Sequence, residues 1–223
     1  MKSLMNLSIA ALFLACAVSF GKGASFQETV DYLDKNVIGK TLTGTISEDH
    51  ADLKEGYDLQ RDWTFADMKI GHQTIELSIV VNIKHTRYVL DDQGKRILPG
   101  KTMDRILTNR AVFKYRNMTG QFFGVLVVEG ITYPRSASGS IYSGSLSLED
   151  GKLKTEMTTV GYDEFPKSTS DTLYGLKCSI QDEMELKNDK LVRVWKNPCD
   201  EIDPATGGLL QKRPVFSIDE TQK

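Results

Sequence analysis

The sequence predicts an all-β fold: an antiparallel meander closing into a β-barrel, with one short helix ahead of it and a β-sandwich as the second architecture. Three observations carry this. Apolar side chains recur with period two through nearly all of the chain after residue 40. Short turn motifs, with no helical crossovers between them, join the alternating runs, so sequential strands pair as neighbours. Eight or more such strands must hide their edges, and closure removes edges altogether.

The chain opens on a leader. Lys2 supplies a positive start, and Leu4 to Phe20 is mostly apolar or small. Its uninterrupted core is about a dozen residues, too short for a bilayer and suited to a secretory signal. Small residues at Ala17, Ser19, Gly21 and Gly23 offer cleavage sites, so residues 1–23 read as a signal peptide and 24–223 as one domain. A lipoprotein anchored through Cys16 is the lesser alternative, because Phe13 leads the motif and Leu14 fills a slot that should be small. The expected location is secreted or periplasmic.

Next comes the helix. In "SFQETVDYLDKNV", Ser25 and Glu28 form a capping-box pattern, and Phe26, Val30, Leu33 and Val37 recur at helical spacing before Gly39. Strands follow. Tyr57, Leu59, Trp63 and Phe65 share one face, as do Ile75, Leu77, Ile79, Val81 and Ile83. Leu107, Ala111, Phe113 and Tyr115 make a third inner face, with further alternation near 120–133, 139–149, 152–161, 172–187 and 190–196. Asp150-Gly151 suits a type I′ hairpin turn, Asn188-Asp189 is a second candidate, and "DDQGK" and "RNMTGQ" are longer ones. From about residue 198 the tail is Gly/Pro-punctuated and reads as irregular, with "RPVFSI" adding one last strand before a frayed end.

Three cysteines are present. Loss of Cys16 with the leader leaves Cys178 and Cys199, an even pair in an oxidising compartment. A bridge between them closes a loop of about 20 residues and contributes on the order of 3 kcal/mol in the chain-entropy model. The formal net charge of -2 gives no basic field to draw nucleic acid or an anionic membrane. No apolar run after the leader reaches membrane-spanning length.

Motifs for catalysis are missing: there is no Gly-x-Ser-x-Gly elbow, His-Glu-x-x-His, Walker loop or EF-hand loop. The acidic "SEDHADLKEG" reads as a solvated connection, and Asp200 with Asp203 lacks the alternating ligands of a calcium loop. No cofactor, metal or catalytic residue is assigned. Asn117-Met118-Thr119 matches a glycosylation sequon on a turn.

The sharper signal is what interrupts the apolar faces. Arg61 stands between Leu59 and Trp63, Glu129 between Val127 and Ile131, and Asp182 between Ile180 and Met184. His85 and Arg87 continue the face that ends at Ile83. On regular strands all five point inward, where an unpaired charge costs several kcal/mol. They either pair with one another or meet a polar ligand, unless a bulge returns them to solvent. Tyr57, Trp63, Phe113, Tyr115, Phe123 and Tyr142 are the aromatic candidates for the inner wall.

A meander barrel behind an N-terminal helix resembles the lipocalin group in general shape. The resemblance is one of topology: where that group's first strand opens on Gly-x-Trp, this chain has Gly39-Lys40-Thr41, and Trp63 follows Asp62 in a later strand. The expected function is a binding module holding a small apolar or amphipathic ligand, with Arg61, Trp63, His85, Arg87, Tyr115, Glu129 and Asp182 as candidate ligand contacts. The alternatives are an extracellular or envelope interaction protein with a filled barrel and, less so, an enzyme using the polar cluster. A continuous cavity of several hundred cubic ångströms distinguishes the first.

Overall fold

The computed structural model describes residues 23–50, 54–133, 136–162, 175–203, 205–212 and 215–223. Residues 1–22 of the expected leader, with Cys16, lie outside the described residues. Helix α1 spans Phe26–Asn36, and its capping box is formed. Ser25 Oγ accepts from the Glu28 N–H at 3.3 Å, and the Glu28 carboxylate accepts from the Ser25 N–H at 2.7 Å. Val30 and Leu33 are buried on its inner face, with Val37 just beyond. Gly39 (φ +76) then turns the chain into the first strand, and its N–H donates to the Phe65 carbonyl.

Twelve strands follow in one sheet. The first six are β1 (Thr41–His50), β2 (Glu55–Gly71), β3 (Thr74–Leu90), β4 (Arg96–Arg116), β5 (Gln121–Tyr133) and β6 (Ser136–Glu149). The rest are β7 (Lys152–Tyr162), β8 (Gly175–Lys187), β9 (Lys190–Asn197), β10 (Cys199–Ile202), β11 (Leu209–Lys212) and β12 (Phe216–Gln222). β1 to β8 run as a meander. β9 then pairs with both β8 and β12, and β12 pairs with β1, closing a ring of ten antiparallel strands. β10 and β11 stand outside the ring, on the first half of β8. The lipocalin type has eight strands, so the likeness in shape stops at a meander barrel with a helix.

Both short turns have the backbone their residues favour. Asp150 and Gly151 lie at φ 51 and 76, Asn188 and Asp189 at φ 51 and 62, as type I′ hairpins require. These turns, the β2–β3 turn and the β4–β5 turn gather at one pole, and α1 packs there. Phe26 packs edge-on against Tyr115 and tilted against Phe122, with ring centroids 6.0 and 5.8 Å apart. The Ala24 N–H donates to the Leu148 carbonyl, fastening the segment before the helix to the end of β6. This lower half is filled by Phe65, Ile75, Leu77, Phe113, Phe122, Leu146, Leu153, Met157, Met184 and Leu191, all buried. Each such side chain contributes roughly 1.5–3 kcal/mol on leaving water.

The upper half is built differently. The register of β6 on β7 begins at Ser143↔Thr158, and that of β1 on β12 covers Leu42↔Gln222 and Thr43↔Thr221. Above those rows the long β1 to β6 rise together as one curved sheet. Arg96 pins the β3–β4 end of that sheet to the β1–β2 end: its Nε donates to Asp49 and its Nη1 to Asp58, both at 2.6 Å. Its guanidinium lies 4.6 Å from the Tyr88 ring centroid, and Tyr88 Oη donates to Asp58 at 2.8 Å.

Two expectations are corrected here. The segment after residue 198 is no irregular tail, since β10, β11 and β12 occupy it and β12 closes the ring. "FFGVLVVEGITY" is apolar on both parities, and its register places Phe122, Leu126 and Val128 opposite the inward Tyr115, Ala111 and Asn109. Glu129 therefore faces outward and is exposed. Phe123 is also outside, with the Arg116 guanidinium 4.7 Å from its ring centroid.

Candidate functional site

Inward-facing charges meet inside the ring. Arg61 on β2, Asp182 on β8, Arg193 on β9 and Glu220 on β12 are 4, 9, 3 and 1 % exposed. Arg193 forms a bidentate pair with Asp182, through Nε at 2.8 Å and Nη2 at 2.6 Å. Its Nη1 donates to Glu220 Oε2 at 3.0 Å, and Glu220 Oε1 accepts from Arg61 Nε at 2.6 Å. Charges therefore alternate along a chain from Asp182 through Arg193 and Glu220 to Arg61. Two cations balance two carboxylates, the condition under which buried charges are tolerated.

The chain's two tryptophans enclose this array. The Arg193 guanidinium lies 4.0 Å from the Trp63 centroid, and that of Arg61 lies 4.2 Å from Trp195 and 5.3 Å from Trp63. Such contacts strengthen when desolvated. Burial pulls Arg61 down to about 10, opposed by the attraction of Glu220, so it remains a cation at neutral pH. Burial also opposes the charge on Arg193, but Asp182 and Glu220 outweigh it and raise that group.

Several buried polar atoms lack a hydrogen-bond partner among the described residues, Arg61 Nη2, Trp63 Nε1 and Asn109 Oδ1 among them. Register puts Arg61 and Asn109 next to the upper half, and Trp63 also lines the cavity beneath the array. Arg61 sits between Leu59 and Trp63 on β2 and opposite Ile83 on β3. Asn109 follows Leu107 on the inner face of β4 and lies opposite Val128 on β5. Above them, Ile46, Leu59, Ile83, Leu107, Val128 and Tyr142 face inward yet are only half-buried. These side chains give the inner face of the β1–β6 sheet an apolar wall above the charged array, and wall and array together are termed the cup. At its rim Tyr57 Oη donates to Glu48 at 2.6 Å, and burial, then Glu48, raises the phenol.

The residues singled out from the sequence divide accordingly. Arg61, Trp63 and Asp182 come together in the array. His85 is half-buried at the rim, its ring centroid 5.7 Å from that of Tyr57, and Arg87 is exposed beside a register shift between Arg87 and Val89. Tyr115 is buried at the opposite pole, where its hydroxyl donates to the Ala24 carbonyl at 3.2 Å, so it belongs to the helix contact and not to the cup. Glu129 is outside altogether. Arg193 and Glu220 complete the array and were not singled out. Their signal was the same as that of Arg61: Arg193 interrupts Leu191 and Trp195, and Glu220 follows Ile218 on one face.

Beneath the array the interior keeps a cavity of about 40 Å³, lined chiefly by core residues with Trp63, Asp182, Arg193 and Trp195. That is room for a water or two, far below the several hundred cubic ångströms of a ligand pocket. On β8 and β10, Cys178 and Cys199 stand directly opposite and are bridged. Among the described residues no three His, Cys, Asp or Glu side chains gather as a metal set, and no helix is long and apolar enough to cross a membrane. Comparison with known proteins finds no matching family model, no matching curated protein and no matching solved structure.

Proposed function

We propose that this chain is an exported binding protein, secreted or periplasmic, whose upper cup receives a small amphipathic molecule. The observation that carries the reading is the ring of Ile46, Leu59, Ile83, Leu107, Val128 and Tyr142, which faces inward and yet stays accessible. A barrel folded only for stability gains by burying such side chains completely, and this one does so below the array. An apolar chain laid in the cup would remove that surface from water at about 25 cal/mol per Å². The Cys178–Cys199 bridge suits an oxidising compartment. Export would follow cleavage of the leader between Phe20 and Ala24.

The test combines native mass spectrometry of the mature protein with titration of tryptophan emission by a long-chain amphiphile. The expected mass lacks the leader, is two hydrogens short at the cysteines and carries a non-covalent adduct. Ile83→Glu should abolish the emission response while leaving the melting temperature within a few degrees. An unmodified mass together with a flat titration would reject the cup.

A filled-barrel interaction protein is the second reading, favoured by the small cavity below the array. Under it, Ile83→Glu would impair partner capture at the rim only, and no amphiphile would alter tryptophan emission.

A further inference from the structure

We propose that the cup takes its occupant head-first, and that the head is an uncharged hydrogen-bond acceptor such as an amide or ester carbonyl, not a carboxylate. The proposal rests on the cup reading and adds the chemistry of the bound group.

Two buried N–H donors next to the cup, Arg61 Nη2 and Trp63 Nε1, have no acceptor among the described residues. They belong to residues two apart on the inner face of β2, with the Arg61 guanidinium 5.3 Å from the Trp63 centroid. Both residues are more than nine-tenths buried. A buried donor without an acceptor is costly, so an oxygen placed there recovers what folding alone leaves unmet. Leu59 and Ile83, the wall residues nearest Arg61 by register, would hold the start of an attached apolar chain. Asn109 lies on β4, two strands away, and takes no part in this contact.

Charge decides between head groups. A lone arginine selects carboxylates, because a charge-assisted bidentate pair is the strongest bond it makes. Here Arg61 already gives its Nε to Glu220 at 2.6 Å, and Arg193 is shared between Asp182 and Glu220. The four charges of the array, Asp182, Arg193, Glu220 and Arg61, sum to zero. A third carboxylate would add an anion beside Glu220 to an array already balanced, and would lose its own hydration on entering. A neutral carbonyl meets the same two donors without that cost.

The experiment uses the mature, disulfide-bonded protein and three probes of equal length: decanamide, decanoate and n-decane at pH 7.5. Affinities are read from tryptophan emission, and the Trp63 indole N–H is followed by NMR with ¹⁵N-labelled indole. Decanamide should bind about tenfold more tightly than decanoate or decane, equivalent to roughly 1.4 kcal/mol, and should move the Trp63 resonance. Trp63→Phe should bring the amide and decane affinities together without weakening decane. Should that variant fail to fold, the wild-type resonance carries the test. Decanoate binding as tightly as decanamide would overturn the neutral-head proposal, and so would equal affinities with an unmoved resonance, which indicate that water meets the two donors; the cup reading survives both results. Binding of none of the three overturns both.

Discussion

Arg61 and Glu220, 159 residues apart, bond at 2.6 Å across an intervening strand, and Gly44 on that strand is what lets them meet. Gly44 is paired with Arg61 in the β1–β2 register. A Cβ there would lie 2.6 Å from the Asp219 carbonyl oxygen and 2.9 Å from both Glu220 Cγ and Ile218 Cγ1. The missing side chain is therefore the passage through which the arginine reaches the carboxylate.

Gly44→Ala should thus destabilise the fold although alanine is a better strand residue than glycine elsewhere. Overpacking of this kind costs about 1–3 kcal/mol. Chemical denaturation would show a lowered midpoint with an unchanged slope. Equal or increased stability would mean that β1 and β12 separate freely at this row.

Glu220→Gln and Glu129→Gln should differ sharply. The first leaves Arg61 and Arg193 to share one carboxylate, and removal of one partner of a buried array costs about 3–5 kcal/mol. For a domain of this size that is a fall in melting temperature of roughly 10 °C. The second touches an exposed outer position and should stay within about 0.5 kcal/mol of wild type. Similar melting temperatures for the two variants would contradict the described array.

The Arg96 staple predicts a local acid response. Hydrogen bonds from Ser47, Arg96 and Tyr88 hold Asp58 down at about 2. Because the folded value lies below the unfolded one of about 3.9, its stabilisation is complete above pH 4 to 5 and fades as pH falls through 2. The Asp58 side chain is 43 % exposed, so solvent screening keeps the effect small. Protection against amide exchange in the β3–β4 hairpin, relative to the intrinsic rate at each pH, should fall at low pH, and Arg96→Ala should lower it in the same way at pH 7. Unchanged exchange in Arg96→Ala would remove the staple.

Reduction should cost stability without opening the ring. Cys178 and Cys199 are 21 residues apart, and a loop of that length corresponds to about 3 kcal/mol. The bridge lies where β10 joins β8, outside the closed circuit. Cys178→Ser/Cys199→Ser should therefore lower the denaturation midpoint and keep the β-type circular dichroism. Alkylation of both thiols in native, unreduced protein would refute the bridge.

The sequence by itself determined most of the elements ahead of residue 198. Alternation, turn chemistry and a capping box are local: each depends on backbone geometry within a few residues, and each appears in the fold as the residues imply. It also marked Arg61 and Asp182 as charges forced inward, since Trp63 and Met184 beside them had nowhere else to go. Only the tertiary structure decided their company. Arg193 and Glu220 lie 11 and 159 residues from Asp182 and Arg61, and which strands become neighbours depends on how the ring closes. Glu220 sat in a stretch that read as a frayed end, because its burial comes from β9 and β1 on either side and not from its own neighbours. The facing of β5 was read the wrong way for the same reason: Phe122 and Phe123 are equally apolar, and only pairing with β4 fixes which one enters the core. A strand's alternation says that one face is buried, and the strands beside it say which face and what its charges meet there.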